Sequence, residues 1–384
     1  MLFRSTESEK LGIQVLDARM RILGVEHLYT INAMENLAVT YGSLGKYTES
    51  EKLEIQVLDA RKRILGVEHP DTIKAISNLA ATYSDLGKYI EAEKLEIQVL
   101  DARNRILGVK HPDTMDAMAN LACTYGYLGK YKEAEKLGIQ VVNAMRRILG
   151  VEHPDTIVAM ANLAETYHSL GKYIEAEKLK IQVVDAGKRI LGVEHPNTIS
   201  AMGNLAATYS SLGKYTESEK LEIQVLDARN RILGVEHPHT ISAIAGLAET
   251  YYNLGKCIEA EKLEIQVLDT RNRILGGEHP DTILAMGNLA ATYCNLEKYK
   301  EAEKLESKVL DARKRILGVE HPHTILAMEN LAATLESMGK VQRGREVSHP
   351  SSGSQKQSSW SNIPLCNCHH GQCPRSSGGF NNEF

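Results

Sequence analysis

Three observations predict an all-α fold, a right-handed α-solenoid of stacked helix-turn-helix units. They are a fixed repeat of 42 residues, two helical patterns inside each repeat, and a glycine closing each pattern. The turn Leu-Gly-Lys sets the register: Gly45, Gly87, Gly129, Gly171, Gly213, Gly255 and Gly339 are spaced by multiples of 42, with Glu297 in the remaining slot. A unit of this size cannot close a core alone, so neighbouring copies must stack and bury one another's faces. A length of 384 residues would ordinarily suggest two or three domains, but the repeat overrides that and predicts one elongated array.

The copy from His69 to Gly108 gives the elements in order. Ile76, Leu79, Ala80, Tyr83 and Leu86 fall at helical spacing behind Pro70, with Asp71 or Thr72 able to cap the first helix. Gly87 stops it, because glycine takes the left-handed conformation past a helix end without side-chain strain. In the second helix Ala92, Leu95, Val99, Ala102 and Ile106 form one stripe, which Ile97 and Leu100 widen. So broad an apolar surface predicts neighbours on two sides. Gly108 ends this helix. One position in each helix is small throughout, Ala38, Ala80, Ala122 and Ala164 among them in the first, and Ser50, Ala92, Ala134 and Ala176 in the second. Helices cross closely where side chains are short, so these positions predict the crossing within each hairpin.

Leu79, Ala80, Tyr83, Gly87, Tyr89 and Ala92 together resemble the tetratricopeptide repeat. The longer phrases NLA, LGKYxEAEKL and LGxEHPxT are similar to the kinesin light chain subtype, and the wording is closest to C-terminal arrays of fungal NLR-like proteins. The resemblance spans residues 5 to 340. It implies a non-enzymatic scaffold that holds a protein or peptide segment in a concave groove. Where that repeat has a large residue in the middle of its second helix, this chain has Glu96, Gly138 or Lys180.

The register divides the chain into an unpaired second helix (1–27), an array of seven full repeats with a final first helix (28–340), and a Ser/Gly/Asn-rich tail (341–384) expected to be disordered. The end helices are complementary, so head-to-tail self-association is an alternative reading. Gly187 inside a second helix and Glu297 in a glycine slot are each expected to cost about 1 kcal/mol. Helices at the ends are expected to fray first.

Composition narrows the function. A net charge of -4 and a pI near 6.4 give no basic footprint for nucleic acid. No segment is long and apolar enough for a signal peptide or a membrane span. Cys123, Cys257 and Cys294 stand singly in separate copies, which suits free thiols and a cytoplasmic setting. No phosphate-binding glycine motif or nucleophile-base pair occurs, so neither catalysis nor a cofactor is expected. Cys366, Cys368, His369, His370 and Cys373 are too compressed for paired zinc knuckles. The histidines recurring from His27 to His321 lie in successive layers and are read as loop structure, not as a converging metal site.

Candidate site residues lie where copies differ on the first helix. The resemblance places these positions on the groove: Lys74, Asp85, Asp116, Tyr127, Glu165, His168, Glu249 and Tyr252. With Glu35, Glu329 and Glu336 this stripe holds seven acidic side chains against Lys74, which favours segments bearing Lys or Arg, unless the face is merely solvated. Asn36, Asn78, Asn120, Asn162, Asn204, Asn288 and Asn330 form a ladder that Gly246 interrupts. An amide both donates and accepts, so the ladder either holds the main chain of an extended peptide, as the kinesin light chain resemblance implies, or bonds across to the adjacent hairpin.

Overall fold

The computed structural model describes the backbone of residues 2–348 and the side chains of residues 7–341. Described residues form sixteen helices and no strand. The second helices are α1 (Leu2–Leu23), α3 (Tyr47–Leu65), α5 (Tyr89–Ile106), α7 (Tyr131–Ile148), α9 (Tyr173–Ile190), α11 (Tyr215–Leu233), α13 (Cys257–Leu275) and α15 (Tyr299–Leu317). Between them run the first helices α2 (Leu28–Ser43), α4 (Pro70–Asp85), α6 (Pro112–Tyr127), α8 (Pro154–Ser169), α10 (Pro196–Ser211), α12 (Pro238–Asn253), α14 (Pro280–Asn295) and α16 (Pro322–Ser348). Each helix packs mainly on its neighbours in sequence, as a solenoid requires. The register boundary at 340 is corrected at one point: α16 runs through Gly339 to Ser348, into the stretch read as tail. The rest of that tail, with its Cys/His cluster, lies outside the described residues.

The small positions are where the paired helices meet. Ala80 and Ala92 are fully buried, and where serine replaces alanine the contact shows directly: Ser50 Oγ donates to the Ala38 carbonyl at 2.8 Å and Ser218 Oγ to the Ala206 carbonyl at 2.8 Å. The second-helix stripe is narrower than its pattern suggests. Ile97 and Ile106 are exposed, whereas the polar Glu96 is buried with Ala92, Val99 and Ala102.

The helix starts differ from the sequence expectation. His69, not Asp71 or Thr72, is the N-cap of α4, and its Nδ1 accepts the Asp71 N–H at 3.1 Å. The same bond forms at His27, His111, His153, His195, His237, His279 and His321. The histidine ladder is therefore a capping device. With the cap filled, the hydroxyls of Thr30, Thr72 and their equivalents through Thr324 are buried without partners.

Charged ties join each repeat to the next. Lys46, at the start of α3, pairs with Glu9 on α1 at 2.7 Å, and Lys88, Lys130, Lys172, Lys214, Lys256 and Lys298 repeat the pair with the second helix before them. Each ammonium also lies over the ring of the tyrosine five residues earlier, 5.3 to 5.8 Å from its centroid. On the inner side, Arg61 Nη1 donates to the Asp71 carbonyl of the next first helix at 2.8 Å. Arg19, Arg103, Arg229, Arg271 and Arg313 do likewise. Met145 and Gly187 hold this position in two consecutive repeats and leave two interfaces without the clamp.

Candidate peptide-binding groove

The varying first-helix positions lie along one face, and side chains from the second helices reach up between them. Glu35 is the clearest case. Its carboxylate is buried between Arg61 Nη2 at 2.7 Å, Lys74 Nζ at 3.3 Å and Asn78 Nδ2 at 3.3 Å. Glu165 pairs with the buried Lys180 of α9 at 3.0 Å, and Glu336 with Lys340 one turn along. The count of seven acids against one base is thus corrected: Arg61 and Lys180, both from second helices, neutralise two of the acids, and Lys74 is engaged by Glu35.

Acidity concentrates elsewhere. Glu54, Glu96, Glu264 and Glu306 share one register position in the middle of α3, α5, α13 and α15, and all four are buried with Oε2 unpartnered. Burial pushes Glu96 and Glu264 up to about 7, against smaller stabilisation from Thr124 and Thr292. Burial raises Glu54 and Glu306 as well, and the charges of Asp85 and Glu35 add to the rise at Glu54. Glu222 holds the same place in α11, half-buried. Lys180 occupies this column in α9, where it also donates to the Asn204 carbonyl at 3.3 Å, and Gly138 occupies it in α7.

Asp85 is exposed and has no cation of the described chain against it, and partial burial raises its carboxyl. Beside it Tyr127, half of whose surface is open, stacks on Tyr89 with ring centroids 4.7 Å apart and planes 8° from parallel. Asp116, also exposed, is raised first by burial and then by Asp155 and Asp113. Burial pushes the Cys123 thiol up to about 11, with Glu96 adding to it, so this cysteine is a poor nucleophile. His168 meets Ser211 Oγ at 3.2 Å and packs edge-on to Tyr173, while Glu249 is exposed and Tyr252 half-buried.

The asparagines divide into three groups. The Asn78 amide reaches back to Glu35, and Asn162 Nδ2 reaches Cys123 Sγ at 3.4 Å, both on the preceding hairpin. Asn36, Asn120, Asn288 and Asn330 are exposed, and no amide bond of theirs forms within the described residues. Asn204 is half-buried, and its carbonyl accepts from Lys180 and Thr208. Sequence reasoning missed the buried glutamate column, although Glu96 standing where the repeat expects a large residue was its signal. It also missed Arg61 and its equivalents, because a charged side chain late in an amphipathic helix reads as solvated.

A stack of helix hairpins with one variable face defines a protein-interaction array. The tetratricopeptide repeat signature matches residues 71–147, 127–186, 155–231, 240–314 and 281–343, and a second form of it matches 30–71. The chain belongs to the tetratricopeptide repeat family. Among solved structures it is similar to a point variant of the kinesin light chain nearly identical TPR-like repeats of Podosopora anserina, with 30% identity, 54% of this chain and 98% of that chain covered, and a TM-score of 0.50. The apo quorum sensor NprR of B. thuringiensis is 15% identical over 81% of this chain and 84% of its own, with a TM-score of 0.59. PH0952 of Pyrococcus horikoshii, a STAND protein with a tetratricopeptide repeat sensor, is 13% identical over 89% of this chain and 53% of its own, with a TM-score of 0.58. These last two share the fold alone. No curated protein matches the chain. Among the described residues no helix is long and apolar enough to cross a membrane, and no group of His, Cys, Asp and Glu is arranged to hold a metal ion.

Proposed function

We propose that the array is a non-catalytic scaffold that holds an extended protein or peptide segment in its groove, and that the N-terminal half of the groove selects Lys or Arg. The observation that carries this reading is Asp85, an acid without a cation beside the stacked Tyr89 and Tyr127, above the buried Glu54. A cationic side chain there meets a carboxylate, an aromatic face and relief of the repulsion between Asp85 and Glu54. Lys180 supports this from within the chain, since it is an ammonium held at the glutamate column. The exposed amides of Asn36, Asn120, Asn288 and Asn330 suit the main chain of such a segment.

The test is fluorescence anisotropy of labelled, flexible Ser/Gly peptides, with and without lysines, against the full chain. Lysine peptides bind more tightly and lose affinity as salt rises. Asp85→Asn and Tyr127→Ala each weaken them by about two- to fivefold, the worth of one exposed ionic or cation-π contact. Equal affinity for lysine and neutral peptides overturns the charge selection. Mass that grows with protein concentration, with no peptide bound, favours head-to-tail association in place of the scaffold reading.

A further inference from the structure

Copies of the repeat act as controls for one another on the second-helix side as well as on the groove. Between α7 and α9, over the packed side of α8, lies a cleft of about 300 Å³. Its floor is Val142 and Leu163, both buried, and Tyr167 and Leu179 stand at its walls. Leu163 and Tyr167 are not among the variable first-helix positions, so the cleft is separate from the groove. Departures from the repeat converge here. Val142 stands where Leu58, Leu100, Leu226, Leu268 and Leu310 stand in other copies, a change shared only with Val184, and it shortens the floor. Asn143 alone replaces an aspartate that every other second helix carries, and Arg146 takes a place held elsewhere by lysine, asparagine or methionine. The floor also sits nearer α7 than a side chain at 138 would allow, since a Cβ on Gly138 would lie 3.0 Å from Leu163 Cδ1. Arg146 Nη2 donates to Gln182 Oε1 at 2.8 Å and meets Met160 Sδ at 2.9 Å, while its Nε is buried without a partner. Neither Arg146 nor Lys178, which lines the cleft from α9, has an ion pair among the described residues.

We infer that this cleft is a binding site for a small apolar monocarboxylate. Charge sets it apart from its counterparts. The equivalent positions Asp101, Asn104, Glu133 and Lys136 at the preceding interface sum to -1, and Asp59, Lys62, Glu91 and Lys94 at the one before sum to zero. Asn143, Arg146, Glu175 and Lys178 sum to +1, which suits an anion, and the acid Glu175 at the cleft favours a single negative charge over two. A planar guanidinium matches a planar carboxylate, and a carboxylate that takes over from Gln182 gives Arg146 a charged acceptor and its orphaned Nε–H a partner. Ile139, Val142, Leu163 and Leu179 receive the hydrocarbon body. The volume is at the lower end for small-ligand sites, so the body is one ring or a short chain.

The test is calorimetric titration of the full chain with benzoate, and with benzyl alcohol as its neutral counterpart. Benzoate is expected to bind saturably and about tenfold or more tighter than the alcohol, the worth of a hydrogen bond to a charged group. Bound benzoate is expected to slow hydrogen exchange across α7, α8 and α9 and to leave the other helices unchanged. Three substitutions return the cleft to the ordinary repeat, and each introduces a residue that other copies already carry at that register position, so the fold accepts them. Val142→Leu refills the floor and Arg146→Asn removes the guanidinium, and each is expected to weaken benzoate about tenfold or more. Asn143→Asp restores the acid and is expected to weaken it about two- to fivefold. Lysine peptides are expected to bind all three variants as they bind the wild-type chain, so the groove and the cleft stand or fall separately. The site is overturned if benzoate does not bind saturably, or if Val142→Leu and Arg146→Asn leave its affinity unchanged. Equal affinity for benzyl alcohol overturns it as well, since the cleft then selects no anion.

Discussion

At the scale of single residues, the buried glutamates set the pH response. Glu96 and Glu264 have folded-state pKa values raised to about 7 from 4.5, so the folded chain holds their protons more tightly than the unfolded chain does. Their stabilising contribution is full below pH 4.5, declines as pH rises and is gone above pH 7, a change on the order of 3 kcal/mol for each group. Glu96→Gln with Glu264→Gln is expected to raise the melting temperature at pH 8 and to flatten its dependence between pH 4.5 and 7, as calorimetry across that range reads. An unchanged pH slope contradicts the assignment. The capping histidines make a second case: His153→Ala removes the acceptor for the Asp155 N–H and is expected to destabilise by about 1 kcal/mol. Both roles were partly hidden in the sequence. A histidine before proline reads as loop, and Asp and Thr rank above it as caps; only the backbone geometry shows that Nδ1 reaches the N–H two residues on. Glu96 was visible as a departure from the repeat signature, but whether it pointed out or in depended on packing.

At the scale of elements, the ties between repeats decide where the array opens. Six second helices carry the arginine clamp, and α7 and α9 lack it at Met145 and Gly187. Hydrogen exchange is therefore expected to be faster across α8 and α10 than across α4 and α12, in addition to fraying at the end helices. Equal protection of these four helices contradicts the clamp's importance. Gly187→Arg restores the clamp and removes a helix glycine, while its Cβ would meet the buried Thr198 Oγ1 at 3.1 Å and require it to shift, so the net gain expected in chemical unfolding is about 1 kcal/mol or less. Glu297 is the one non-glycine at positive φ among the described residues, at 58°, and Glu297→Gly is expected to add about 1 kcal/mol. Helix number, order, hairpin crossings and the strained turn were all legible from the 42-residue period, since each follows from local propensity and spacing. The extension of α16 through Gly339 was not, because the second-helix pattern that follows the other turn glycines is lost after Gly339, and only that pattern made the glycine read as a stop.

At the scale of the whole molecule, stacking turns a one-dimensional repeat into a surface on which non-equivalent side chains form a gradient. The sequence located that surface by asking where copies differ, and it found the acids there. It assigned them one shared role, whereas three-dimensional packing divides them: Glu35 is neutralised by Arg61, Glu165 by Lys180, and Asp85 is left facing solvent beside two tyrosines. Pairing across adjacent helices is a property of the superhelix and not of any one repeat, so a count along one helix face could not foresee it. The most direct test of the scaffold account is the salt-dependent affinity of a lysine-bearing extended peptide for the full chain and for Asp85→Asn. The account predicts binding that weakens with salt and falls about two- to fivefold in the variant. Affinity indifferent to salt and to Asp85 would contradict it.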